Sequence, residues 1–314
     1  MKRLISTIIL IQLTFLNADN YSLSFDGVDD YVNVGNTSSL TINGDITVSA
    51  WVYFDDFSTT LPNVISKITD GSNVSYNIEK NLNESRLSFW IGDGTDFVEA
   101  ISGVLSATTW YHVVGTNDGT NSKIYINGDL EATVAQGNPA GPTGDLKIGL
   151  CSTESQSYRY WDGLIDEVSI WNVALNQEQI QSIMSSELSG DETGLVAYWN
   201  FNQSTGDMLY DLSGNGNDGT IYGATWSDDV PTPGCTDSTA TNYNPDANIN
   251  YECLYYEGAD WYVSTDGDDS SGNGSQGSPY ATIQKAVDKA ETLGNENVLQ
   301  TIYISPGTYV ENIS

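Results

Sequence analysis

The chain predicts an all-β fold, a sandwich or jelly roll, on three observations. Short runs of alternating apolar and polar residues recur from Asn20 to Asp229, Gly, Asn and Asp break them at close intervals, and a single helical pattern interrupts them. Tyr21-Ser22-Leu23-Ser24-Phe25 alternates, Asp26-Gly27 turns, and Tyr31-Val32-Asn33-Val34 alternates again. Ile46 to Tyr53 reads as a half-buried strand. Trp110 to Val114 leads to the turn Asn117-Asp118-Gly119, and Lys123 to Ile126 runs into Asn127-Gly128-Asp129, a strong hairpin signal.

The helix is predicted after Asn176, an N-cap with Gln179 three residues on, in the manner of a capping box. Ile180, Ile183, Met184 and Leu188 form its apolar stripe, and Gly190 is the expected stop. Strand patterning returns at Gly194–Phe201 and Gly219–Trp226, and Asp229 to Gly234 reads as a linker. A turn-rich module bounded by Cys235 and Cys253 follows. From Asp260 there is a strand, a Gly/Ser/Asp loop over 266–278, a helix with Ile283, Ala286, Val287 and Ala290 on one face, and a strand from Thr301 to Ser305. About 55 residues ending on a strand pattern are expected to be a truncated unit. The predicted divisions are 1–18, 19–229, 230–256 and 257–314.

Of 314 residues, 42 are acidic and 10 basic, for a formal net charge of -32, so anionic partners are repelled and nucleic acid is not an expected partner. A single histidine, His112, excludes His-clustered metal sites; it alternates with Tyr111 and Val113 and reads as a packed strand residue. Met1-Lys2-Arg3 followed by an apolar stretch from Leu4 to Leu16 predicts a signal peptide cleaved after Ala18, and no later run is long enough for a membrane span. An extracellular or cell-surface location follows. There Cys235 and Cys253 are the expected disulfide and Cys151 a buried thiol; zinc is the rival reading but lacks CxxC spacing.

Three motifs then carry a resemblance. Ser24-Phe25-Asp26-Gly27-Val28-Asp29-Asp30-Tyr31-Val32 resembles the opening strand pair of the LamG-like (concanavalin A-like) jelly roll. Trp110–Gly128 resembles its central hairpin, and Gly163-Leu164-Ile165-Asp166-Glu167-Val168-Ser169-Ile170-Trp171 with Ala174-Leu175 its closing strand and helix. Gly194–Phe201 and Asp211–Asn217 often precede the opening motif in such domains; here they follow the helix, implying completion in permuted order. The Cys-bounded module resembles a short repeat of secreted marine-bacterial proteins. Trp261–Ile313 is similar to the cap and first coil of a pectate-lyase-like right-handed parallel β-helix.

The resemblance implies a structural Ca2+ joining the opening loop to the closing strand, held by Asp26, the Gly27 carbonyl, Asp29 or Asp30, and Asp166, with Asp211 and Asn215 added if the permuted segment docks nearby. The competing reading is that these residues form turns. Asp266 to Asp269 reads as a solvated loop. For carbohydrate, Tyr158, Arg159 and Tyr160 are the expected rim platform, with Trp161 assigned to the core and Trp90, Asp93 and Asp96 as weaker candidates. Hydrolysis needs two carboxylates across a cleft; Asp166 and Glu167 are adjacent, and on a regular strand they face opposite sides. The expectation is an exported module binding polysaccharide or surface glycan. Alternatives are the targeting part of a polysaccharide lyase or glycoside hydrolase, and an adhesin with a protein partner.

Overall fold

The computed structural model describes residues 20–58, 61–69, 74–82, 84–94, 96–139, 144–152, 159–238, 240, 242–251, 253, 260–292 and 301–311. The expected leader, 1–18, and Tyr158 lie outside the described residues. The chain opens with β1 (Ser22–Asp26) and β2 (Tyr31–Gly35), then β3 (Ile46–Phe54), β4 (Asn63–Ile68), β5 (Val74–Lys80), β6 (Leu87–Gly92) and β7 (Phe97–Ile101). Next come β8 (Trp110–Asn117), β9 (Asn121–Ile126), β10 (Asp129–Ala135), β11 (Leu146–Ile148) and β12 (Asp162–Trp171). After α1 (Gln177–Ser185) follow β13 (Leu195–Trp199), β14 (Met208–Leu209), β15 (Gly219–Tyr222) and β16 (Thr225–Ser227).

These strands make two antiparallel sheets of eight strands each among the described residues. The first runs β10-β9-β8-β3-β12-β1-β16, with β13 also on β12; the second runs β14-β15-β2-β11-β4-β5-β6-β7. The late segment thus completes both sheets: β13 pairs with β12, β16 with β1 and β15 with β2.

Alternation along the strands fills the space between the sheets. Ile46, Val48, Ala50, Val52 and Phe54 of β3 meet Tyr76 and Ile78 of β5 and Leu87, Phe89 and Ile91 of β6 in one core. Trp161 lies in that core, its ring 4.4 Å from Phe54, as expected for it. Gly115 marks a close approach of the layers, since a Cβ there would sit 2.2 Å from the Phe89 ring. In the hairpin between β9 and β10, Asn127 (φ 50°) and Gly128 (φ 80°) are both left-handed, as a two-residue type I′ loop requires.

The capping box forms: Asn176 Oδ1 accepts from the Gln179 amide and Gln179 Oε1 from the Asn176 amide, each at 3.0 Å. The helix stops at Ser185, before the expected Gly190, with Ser186 extended. The Ser185 and Ser186 hydroxyls both donate to the Ser182 carbonyl, satisfying an end-of-helix acceptor early. α1 lies on the outside of the first sheet, where Ile180 packs with Trp171 and Tyr198, and Met184 with Trp51, Trp110 and Leu164.

Cys235 and Cys253 are disulfide-bonded, and Cys151 is buried outside that bond. In the clasped module β17 (Pro233–Gly234) pairs with β18 (Ile249–Asn250), and Ile249 joins the Trp51–Trp110 cluster on the first sheet. Beyond it, β19 (Asp260–Val263) and β20 (Thr301–Ile304) form a parallel pair, with α2 (Ile283–Thr292) between them in sequence. Trp261, Val263, Tyr280 and Ala286 make a small separate core. The 266–278 loop uses its acids structurally: Asp269 accepts the Ala281 and Thr282 amides, and Asp268 those of Ser270 and Ser271.

Candidate functional site

The outer face of the second sheet carries a cavity of about 390 Å3, lined from β4, β5, β6, β7 and the segment around Cys151 and Arg159. Its floor follows from strand register. Asn77 of β5 is opposite Trp90 of β6, and Trp90 is opposite Glu99 of β7, so the three point outward in one row. Glu79 stands two residues beyond Asn77 on the same face. Phe97 stacks on Trp90 with ring centroids 4.8 Å apart.

Polar groups ring this aromatic wall. Glu79 Oε2 accepts from Asn77 Nδ2 at 3.0 Å and from Arg159 Nη1 at 3.4 Å. Glu99 Oε1 accepts from Asn81 Nδ2 at 2.6 Å. Trp90 Nε1 and Asn77 Oδ1 are enclosed and have no hydrogen-bond partner among the described residues. Burial pushes the Glu79 carboxyl up to about 7, outweighing Asn77 and Arg159, which favour its charged form. An apolar stacking surface thus lies beside convergent acceptors and donors in a volume suited to a small ligand.

Part of this cavity is where the sequence placed a weak candidate, Trp90, and part is new. Asp93 and Asp96 sit in the β6–β7 turn, where Asp93 Oδ1 accepts the Asp96 amide. Arg159, expected on a rim platform, reaches Glu79 instead. Tyr160 is a correction: it is only 8% exposed, so it offers little surface to a rim-bound ligand. Glu79, Glu99, Asn77 and Phe97 were not singled out; the signal available was the polar alternation Ser75-Asn77-Glu79 between Tyr76 and Ile78.

The opening loop forms a second cluster. One carboxylate oxygen each of Asp26, Asp29 and Asp30 lie within 4.8 Å of one another. Asp26 Oδ1 accepts the Val28 and Asp29 amides, and Asp30 Oδ2 the Asp26 amide, so the turn-forming role also holds. Burial, then Asp26 and Asp29, raise Asp30 above the usual carboxylate range. The Gly27 amide bonds the Trp161 carbonyl, tying the loop to the chain just before β12. Hard oxygen donors at this spacing suit a hard divalent cation.

The remaining expected ligands are elsewhere. The β12 residue opposite Asp26 is Asp162, and Asp166 lies four residues further along. Asp211 and Asn215 sit in the loop between β14 and β15, at the Val34–Gly35 end of β2, while Asp30 is at its Tyr31 end. Asp211 Oδ1 accepts the Tyr198 and Ser213 amides, and Asn215 Nδ2 donates to the Val196 carbonyl. Both hold turns. His112 is 2% exposed with Nε2 2.8 Å from Ser49 Oγ, and burial lowers it to about 3, so it is a neutral packed residue.

A further correction concerns Asp166 and Glu167. The pairing of β12 with β3 shifts register between Asp166 and Ser169, and Glu167 is left-handed at φ 50°. This bulge breaks the alternation, and both side chains line one cavity.

Two antiparallel layers completed by the late strands, with a helix on the first sheet, are the architecture to compare. Residues 26–181 match the family model described as the Concanavalin A-like lectin/glucanases superfamily. Residues 26–181 are a concanavalin A-like domain. Its fold is shared by a candidate carbohydrate binding protein from Bacteroides ovatus ATCC 8483, at 22% identity and a TM-score of 0.56, over 66% of this chain and 59% of that one. The chain therefore spans under two thirds of that protein's length. Matches at lower scores are the heptameric SAP-like pentraxin from Limulus polyphemus (16% identity, TM-score 0.44, 54% of this chain and 83% of that one) and domain 4 of AbnA, a GH43 extracellular arabinanase from Geobacillus stearothermophilus, in complex with arabinotriose (18%, 0.42, 52% and 75%). No curated protein matches the chain. No helix among the described residues of the concanavalin A-like domain or beyond it is long and apolar enough to cross a membrane.

Proposed function

We propose that the concanavalin A-like domain binds glycan in the cavity of the second sheet, as part of an exported protein. The observation that carries this is the row Asn77–Trp90–Glu99 with Phe97 stacked beside it, an aromatic platform edged by hydrogen-bonding groups. Sugar C–H faces pack on such rings while hydroxyls donate to Glu79 and Glu99 and accept from Trp90 Nε1. Two carboxylates against one Arg159, on a chain of net charge -32, favour uncharged oligosaccharides over uronates or sulfated chains. The family match and the carbohydrate-binding description of the Bacteroides protein support the same reading.

Calcium enters as a structural ion at Asp26, Asp29 and Asp30, where it would brace the opening loop against β12. The disulfide fits the oxidising compartment that export would provide. The parallel pair β19–β20 is consistent with the start of a β-helix. A glycan array with the full chain, in calcium and again in EDTA, tests the reading. Binding of neutral oligosaccharides is expected in both buffers, because the cleft contains none of the opening-loop acids; no binding in either buffer overturns it.

A second reading, hydrolysis, is favoured by one observation: Glu79, pushed up to about 7, shares its cavity with Glu99, the arrangement of an acid and a partner carboxylate. Release of reducing ends from the array's strongest ligands would establish turnover, and its absence leaves binding alone.

A further inference from the structure

The cavity at the β12 bulge, about 120 Å3, lies on the outer side of the first sheet. Asp166 and Glu167 line it, with Glu187 from just past α1 and Asn20 from the start of the described chain. We propose that the α-ammonium group freed at Asp19 by removal of the leader enters this cavity as the counter-charge of Asp166. That ammonium arises only from cleavage after Ala18, as the export reading above requires; Asp19 itself lies outside the described residues.

Asp166 is 0% exposed; its Oδ1 accepts the Glu167 amide, while its Oδ2 has no hydrogen-bond partner among the described residues. A buried carboxylate oxygen in that state is strongly unfavourable unless a cation or a proton meets it. No Lys, Arg or His lines the cavity among the described residues, whereas Glu79 of the second sheet has Arg159 at 3.4 Å. Glu167 already accepts from the Tyr198 hydroxyl, and Glu187 Oε1 from Asn200 Nδ2 at 2.6 Å, so the open acceptor is on Asp166. Burial raises Asp166 well above the usual carboxylate range, and Glu167 and Glu187 add repulsion. A positive charge here would relieve both.

The start of the chain is anchored beside the cavity. The Tyr21 amide donates to Asn202 Oδ1 at 2.9 Å, and Asn202 Nδ2 reaches Glu187 Oε1 at 3.5 Å. Asn20 lines the cavity itself, and the Asp19 nitrogen is one residue further, a span of at most about 3.6 Å. An ammonium suits the space, being compact, with three donors, where there is room for only a few waters at about 30 Å3 each. Before cleavage the same nitrogen is a neutral amide, so removal of the leader supplies the charge. The cleaved chain is thereby more stable than the uncleaved one.

The test uses the full mature chain, released from a fusion so that it begins at Asp19. An α-amine titrates at about 8 and Lys at about 10.4, so at pH 7 an acylating reagent labels the terminus first. Labelling read by mass spectrometry should be at least tenfold slower in the folded chain than in urea. Two glycines added before Asp19 should lower the Tm by about 3 °C or more, a loss that should vanish when both chains carry Asp166→Asn. Asp19→Ala keeps the amine and should keep its protection, which separates the ammonium from the Asp19 side chain. If Asp166→Asn fails to fold, the labelling and the extension decide. An amine labelled equally fast folded and in urea, or an extended chain with the parent's Tm, would overturn the proposal. N-terminal sequencing of the exported protein tests the leader separately: a start other than Asp19 overturns the processing step alone.

Discussion

The two sheets of the sandwich turn unlike faces outward. On the first, Trp51, Trp110 and Leu164 are covered by Met184 of α1 and by Ile249 of the disulfide-clasped module. On the second, Asn77, Glu79, Trp90, Phe97 and Glu99 surround a cavity that no helix covers among the described residues. Both faces come from the same strand alternation, so the difference lies in what the rest of the chain lays over them. A covered face becomes a second core and tolerates charge poorly. An uncovered face keeps polar groups and stacked rings in position for a ligand.

The largest expected effect tests the covered face. His112 is held near 3 in the fold against about 6.5 unfolded, so above pH 6.5 it contributes no pH dependence. Below that the unfolded chain gains a proton that the fold does not, and stability falls by about 1.4 kcal/mol per pH unit towards pH 3. Chemical denaturation from pH 7 to 4 should show this slope, and His112→Gln should remove it while lowering stability overall. An unchanged slope would mean the face admits charge.

Next is the clasp. Reducing Cys235–Cys253 should cost the module about 3 kcal/mol, free Ile249 from Trp51 and Trp110, and shift tryptophan emission to the red. Glycan affinity should not change, since the cleft is on the other sheet. A loss of affinity on reduction would show that the two faces are coupled.

On the open face, Trp90→Ala should weaken glycan binding at least tenfold, about 1.4 kcal/mol, with a far smaller loss in Trp90→Phe, both read by calorimetry. Glu79 gives the smallest effect. With its pKa raised to about 7, affinity should rise a few-fold from pH 6 to 8 as the better acceptor forms, and Glu79→Gln should flatten that profile. The stability sign is opposite: Glu79 contributes fully below about pH 4.5 and loses that contribution as pH rises through 7, so Glu79→Gln should unfold at higher temperature than expected from parent at pH 8.

The sequence was legible where local chemistry decides structure. Asn127-Gly128 dictated its turn, Asn176 and Gln179 their cap, and two cysteines in one short segment their bond. It was less legible where register or covering decides. Nothing local tells that Asp162 rather than Asp166 pairs with Asp26, because that depends on how β12 aligns with β1. The bulge that turns Glu167 beside Asp166 is likewise set by pairing with β3. Tyr160 suits a rim by its chemistry, yet neighbouring chain covers all but 8% of it. The cleft's Glu79 and Glu99 carry no local signal that sets them apart from other polar strand residues, and only the absence of a covering helix on their sheet among the described residues gives them a cavity.

The central claim is that the second sheet's outer face is the glycan site. A crystal structure of the chain with the strongest neutral oligosaccharide from the array tests it most directly. The account predicts a sugar ring stacked on Trp90 with hydroxyls bonded to Glu79 or Glu99. A sugar bound at the opening loop of Asp26, Asp29 and Asp30, with the Trp90 cavity filled only by water, would contradict it.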